Sequence, residues 1–185
     1  MLQLRTAIKR LHARKDKAYA GAWKRRGEQI SILPNIARKV DRLAAFASAG
    51  TTLEDESILD TAIDLHVYSL KYELFLAEQE PRLLRELSIS QPLWPLSERS
   101  ENLDALVDAT AYDDDVAHSS TALADKIHEQ FERLWPAAAN DAAIDERFAM
   151  ARELAAVSAM LIARLARDAP EAVERFVRAE QDHTG

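Results

Sequence analysis

Apolar residues recur at three- and four-residue steps through most of this chain, while strict alternation is scarce. That period places side chains on one face of an α-helix. In the first stretch Leu4, Ile8, Leu11, Ala18, Tyr19 and Ala22 form the stripe, with Arg5, Lys9, Arg10, Arg14 and Lys17 on the remaining faces. Gly21 and Gly27 weaken this helix near its end. A second helix is expected from about Pro34, a residue suited to a first helical turn. Ile36, Val40, Leu43 and Ala47 carry its stripe, and Gly50 is expected to end it. A third helix is expected from Leu53 to Ala77, with Thr52 as its cap and Glu54, Asp55 and Glu56 complementing its dipole. Further helices are expected near 98–111, 114–135, 141–168 and 171–182, punctuated by Pro136 and Pro170. The aperiodic SISQPLWPLS, residues 88–97, is the best internal boundary, so the chain divides into 1–87 and 98–185. The pattern predicts an all-α fold, a bundle of about six to seven helices.

Composition supports this reading. Only 4 Gly and 6 Pro in 185 residues leave too few turn formers for a β-sandwich or barrel. A chain of this length buries roughly 70% of its unfolded surface, and 48% hydrophobic residues suffice for a core. No cysteine means no disulfide, zinc ribbon or thiol chemistry. Uncharged runs such as Leu43–Leu53 and Leu154–Ala163 fall short of the ~20 apolar residues of a membrane span. The basic start MLQLRTAIKRLHARK lacks the apolar region of a signal peptide, so a cytoplasmic location is expected.

Charge is unevenly spread. Residues 1–42 hold 12 Lys+Arg and 3 acids, a net of +9, while residues 43–185 have a net of −16. An overall charge of −7 argues against a dedicated nucleic-acid binder, yet the basic segment suits a phosphate-bearing ligand.

The third helix carries the clearest candidate chemistry. Its apolar residues cover two arcs, which predicts packing on more than one side. In the narrow polar remainder, Asp60 and Asp64 are four apart and Glu56 lies one turn earlier, so their carboxylates are neighbours on one face. Such a ladder suits a hard cation such as Mg²⁺, which prefers carboxylate oxygen. It equally suits a solvated stripe, or one paired with Arg38, Lys39 or Arg42 of helix two. Lys15, Tyr19 and Trp23 follow at four-residue steps and lean to the apolar side if the first helix persists past Gly21. There a lysine meets a ligand anion or snorkels, and the aromatics stack on a base or join the core. Asp113, Asp114 and Asp115 ahead of His118 read as helix-start acids rather than metal ligands. No Gly-rich phosphate loop, GxSxG elbow, HExxH pair or zinc motif is present.

Taken together, Lys15-xxx-Tyr19-Ala-Gly21-Ala-Trp23-Lys-Arg-Arg26-Gly27, IARKVDRL at 36–43 and EDESILDTAIDLHVY at 54–68 resemble the DUF1599 group, the nucleotide modification associated domain of type 1. That group is itself similar to the MazG-like all-α nucleoside triphosphate pyrophosphohydrolases. The resemblance covers about residues 8–78. It implies a MazG-like helical part that binds nucleotide through Lys15, Tyr19, Trp23, Arg26, Lys39 and Arg42, with acids of the third helix as Mg²⁺ ligands: Asp60 and Asp64 are the expected pair, and Asp41 and the neighbouring Glu56 are candidates to join them. The sequence departs from the pattern at Ala18, where the group usually has an acid. The Glu-Glu-x-x-Glu signature of the hydrolases is absent too, and three or four acids normally hold the metals of phosphoanhydride hydrolysis. The expected function is nucleotide binding or processing, with Mg²⁺-assisted attack of water on a phosphoanhydride if the chain is catalytic. The alternative is a non-enzymatic helical interaction protein whose charge asymmetry drives self-association or partner docking.

Overall fold

The computed structural model describes residues 1–19, 21–49, 56–113 and 117–182, with only the backbone of Tyr19, Glu56 and Ser57. Seven α-helices and no strand occur among the described residues: α1 Leu2–Tyr19, α2 Leu33–Ala49, α3 Glu56–Gln79, α4 Ser100–Ala109, α5 Ser120–Ala139, α6 Ile144–Asp168 and α7 Pro170–Asp182. The protein is an all-α helical bundle, as the periodicity predicts. No helix among the described residues is long and apolar enough to cross a membrane.

α3 is the central element. It packs most extensively on α6 and also meets α2, α4 and α7, which is why its apolar residues occupy two arcs. Tyr72, Leu65, Leu74 and Leu76 on it are fully buried. α2 packs on α5, and α5 on α6, so helices from either side of residues 88–97 share one hydrophobic core. Leu96, inside that Pro/Ser segment, is itself fully buried.

The boundaries differ from expectation where local chemistry decides them. α1 stops at Tyr19, and Gly21 and Gly27, both at positive φ, bracket a turn rather than extend the helix. A π-helical turn, Glu28–Ile32, then leads into α2, which starts at Leu33 with Pro34 in its first turn. Glu28 fastens this turn to the core, because the Tyr72 hydroxyl of α3 and the Arg147 guanidinium of α6 both donate to its carboxylate. The expected caps at Gly50 and Thr52, and the acids Glu54 and Asp55, lie outside the described residues. α5 begins later than its acids suggest. Ser119 caps it by accepting from the Ala122 N–H at 3.1 Å, and Asp114 and Asp115 lie outside the described residues. Pro136 does not end α5, which runs on to Ala139. It sits in the last turn, where only its own missing N–H is lost. Its carbonyl receives both the backbone N–H and the side-chain amide of Asn140, at 3.0 and 2.8 Å. Pro170 is the first residue of α7, where its fixed φ is already helical.

Candidate functional site

α1, α2, α3 and the turn after α1 enclose a cleft of about 380 Å³. α1 contributes Leu11, His12, Lys15 and Asp16, α2 contributes Asn35, Arg38 and Lys39, and α3 contributes Asp64, Val67, Tyr68 and Lys71. Helical spacing explains each set. Leu11, His12, Lys15 and Asp16 are two i, i+4 pairs on one face, and Asp64, Tyr68 and Lys71 follow at i, i+4 and i+7. Because α1 ends at Tyr19, Trp23 reaches the cleft from the turn rather than along a continuing helix, and it is buried there.

The cleft is lined by cations whose partners are mostly other residues of the cleft. Lys15 Nζ donates to Asp64 Oδ1 at 2.6 Å, and Lys39 Nζ lies 4.0 Å from Asp64 Oδ2. Lys71 Nζ donates to Asp16 Oδ1 at 2.6 Å, while His12 Nε2 meets Asp16 Oδ2 at 3.0 Å. The Arg38 guanidinium donates to the Asn35 side-chain carbonyl. Both aromatic walls carry a cation: Lys39 Nζ stands 4.7 Å from the Tyr68 ring centroid and Lys71 Nζ 5.0 Å from that of Trp23. Three lysines and one arginine thus face two carboxylates, which leaves a positive excess inside a partly dehydrated space.

Burial lowers the pKa of Lys39, and the neighbouring Arg38 and Lys15 charges add to the effect while Asp64 opposes it. Burial likewise pulls Lys71 below the ordinary lysine value, against the hydrogen bond and charge of Asp16. For Asp16, burial alone would raise the pKa, but hydrogen bonds from His12 and Lys71 outweigh it and hold the carboxyl low.

The residues expected from sequence divide into four groups. Lys15, Trp23, Lys39 and Asp64 converge in the cleft. Asp60, one turn before Asp64, is exposed and lines a neighbouring groove with Arg14, Lys15 and Phe176. Asp41, Arg42 and Arg26 are exposed and do not line the cleft, and the side chains of Tyr19 and Glu56 lie outside the described residues. The pairing anticipated between the Asp60/Asp64 face and a basic group of the first two helices is present through Lys15 and Lys39.

A magnesium site fits this arrangement poorly. Each Asp64 oxygen already faces a lysine Nζ, and a divalent cation at the same oxygens would meet two positive charges at close range. Among the described residues no three His, Asp or Glu side chains are grouped so that they could hold a metal ion.

His12, Asp16, Tyr68 and Lys71 complete the site without having been singled out as ligand-binding residues. The signal for Tyr68 and Lys71 was their four- and seven-residue offset from Asp64. For His12 and Asp16 only the tertiary placement of α1, held against α7 and α4, brings them there. No family model, curated protein or solved structure matches this chain.

Proposed function

We propose that the α1–α2–α3 cleft binds a nucleoside phosphate, without a metal ion of its own. The carrying observation is the convergence of Lys15, Lys39, Lys71 and Arg38 on one cleft whose walls are Trp23 and Tyr68. Its volume of about 380 Å³ lies in the range of small-molecule pockets, roughly 300–1,000 Å³. In this reading Lys15 and Lys39 exchange the Asp64 carboxylate for phosphate oxygens, and Lys71 with Arg38 neutralises the remaining charge. The base lies against Trp23 or Tyr68, on which stacking is sequence-tolerant. Support also comes from the resemblance, since three of the nucleotide-binding residues it implicates, Lys15, Trp23 and Lys39, lie in the cleft.

The reading assigns binding, and a Mg²⁺-dependent turnover assay on the same nucleotides reads whether hydrolysis accompanies it. Calorimetric titration with nucleoside mono-, di- and triphosphates, in EDTA and in Mg²⁺, tests it on wild type and Asp64→Asn. If Asp64 holds the place of the ligand anion, Asp64→Asn frees two lysines and tightens binding in EDTA. If Asp64 is instead a metal ligand, the variant binds more weakly and only the Mg²⁺ arm is affected. No binding by wild type across the panel removes the proposal and leaves a helical interaction protein.

A further inference from the structure

Asp60, Asp64, Tyr68 and Lys71 follow one another along α3 at steps of four, four and three residues, so they form one row down the helix. The last three line the cleft. Asp64 also lines a groove of about 350 Å³ between α1, α3 and α7, whose walls include Asp60, Arg14, Phe176 and Glu180. Lys15 borders both spaces too, so the Lys15–Asp64 ion pair, at 2.6 Å, is a partition between them. The row therefore runs from the aromatic end of the cleft, through the partition, to Asp60 in the groove.

The partition is a seat for one anionic group. Lys15 Nζ from α1 and Lys39 Nζ from α2 converge on the two oxygens of a single carboxylate, at 2.6 and 4.0 Å. Both are open to solvent, with side chains 41% and 16% exposed. Past the seat, the groove has no second pair of this kind. Asp60 and Glu180 present carboxylates, which when ionised accept hydrogen bonds and donate none. The cation of the groove besides Lys15 is Arg14, and its guanidinium donates to Glu180 Oε1 at 2.6 Å, with Glu180 itself buried. Inside the cleft, lysine and arginine side chains exceed carboxylates by two.

A phosphate monoester carries a charge of about −1.5 to −2 near pH 7, which matches that excess. Each further phosphate adds negative charge and more acceptor oxygens. With the base against Trp23 or Tyr68 and the first phosphate in place of the Asp64 carboxylate, a longer chain continues along the row toward Asp60, one turn or about 5–6 Å further on. There acceptors face acceptors and negative charge faces negative charge. Asp64, displaced from its lysines, still borders the groove and adds a carboxylate to it. We propose that the cleft selects nucleoside monophosphates over di- and triphosphates, and that Asp60 sets this limit on phosphate-chain length. The inference rests on the cleft being a nucleoside phosphate site. Asp60 is a specificity residue in this arrangement: it bears on the second phosphate, and the base and first phosphate are held by other groups.

The full chain is titrated calorimetrically, in EDTA and at constant ionic strength, with the mono-, di- and triphosphates of adenosine, guanosine, cytidine and thymidine. For the base bound best, the monophosphate should bind at least tenfold more tightly than the diphosphate or triphosphate. Asp60→Asn removes a charge and supplies an N–H donor on an exposed stretch of α3. It should tighten diphosphate binding at least fivefold, change monophosphate binding less than twofold and leave the circular dichroism spectrum unchanged. Glu132→Gln, the same loss of charge on the exposed side of α5, should leave the ratio of the two affinities as in wild type. A diphosphate or triphosphate bound as tightly as the monophosphate by wild type overturns the inference and leaves the nucleotide reading standing. So does an unchanged ratio in Asp60→Asn, or an equal shift in Glu132→Gln. Binding of no nucleotide of any chain length removes both.

Discussion

Replacing Glu73 with Gln should change how stability depends on pH more than it changes the fold. Burial raises the Glu73 pKa from 4.5 to about 8, against the pull of Arg152. A carboxyl whose folded pKa is raised binds more protons folded than unfolded between those two values. Its stabilising effect is complete below pH 4.5 and is lost as pH rises through 8. Across that window the loss is about 1.4 kcal/mol for each step of one in pH, so from pH 5 to pH 8 wild type should lose roughly 3–4 kcal/mol through this one group. Gln keeps the shape, does not titrate and removes the loss. His66 acts in the opposite sense, its pKa lowered from 6.5 to about 4, so its effect disappears as pH falls through that window. It is present in both proteins and cancels in their difference. Urea unfolding of both proteins at pH 5, 6, 7 and 8 measures this difference. The variant should gain on wild type with each step, most of the gain falling between pH 5 and 8. Stability curves that run parallel within about 0.5 kcal/mol would refute the reasoning, because an ordinary solvated carboxyl gives that result.

Four further outcomes are expected. Lys39→Met and Lys71→Met should each weaken nucleoside phosphate binding at least tenfold, about 1.4 kcal/mol, and flatten its salt dependence in titrations between 50 and 300 mM salt. Glu28→Ala removes the acceptor shared by Tyr72 and Arg147 and leaves a mostly buried guanidinium unpaired, so urea unfolding should show a loss of about 3–5 kcal/mol. Gly27→Ala should cost about 1–3 kcal/mol through backbone strain at φ 75°, ψ −172°, although no atom beyond its two chain neighbours lies within 4 Å of the added methyl. Leu74→Ala, at a site 1% exposed on the central helix, should cost about 2–5 kcal/mol in the same assay.

Helix positions and the burial of α3 were legible in the sequence, because helical periodicity is local and each amphipathic stripe states which face must leave water. The two apolar arcs of α3 announced that it would be packed on more than one side, and it meets α2, α4, α6 and α7. The ends were less legible. Ser119 rather than the preceding acids caps α5, and α5 continues through Pro136, because both outcomes depend on single hydrogen bonds that propensity does not rank. At the cleft, the charge of residues 1–42 and the Asp60/Asp64 spacing foretold a basic group against α3. Only the tertiary placement of α1, which packs on α7 and α4, separated the two aspartates, giving Asp64 to Lys15 and Lys39 and leaving Asp60 on the exposed flank. Tertiary contact likewise decided that Trp23 enters the cleft from a turn and that Lys71 lies over its ring. The burial of His66 and Glu73 has no sequence signal, since a polar residue on a helix face looks the same whether the neighbouring helix covers it or water does. Local periodicity determines which residues are helical and which face is apolar. Which charges meet, and which are stripped of water, depends on residues about 50 to 90 positions apart, as in Lys15 with Asp64 or His66 with Ala155.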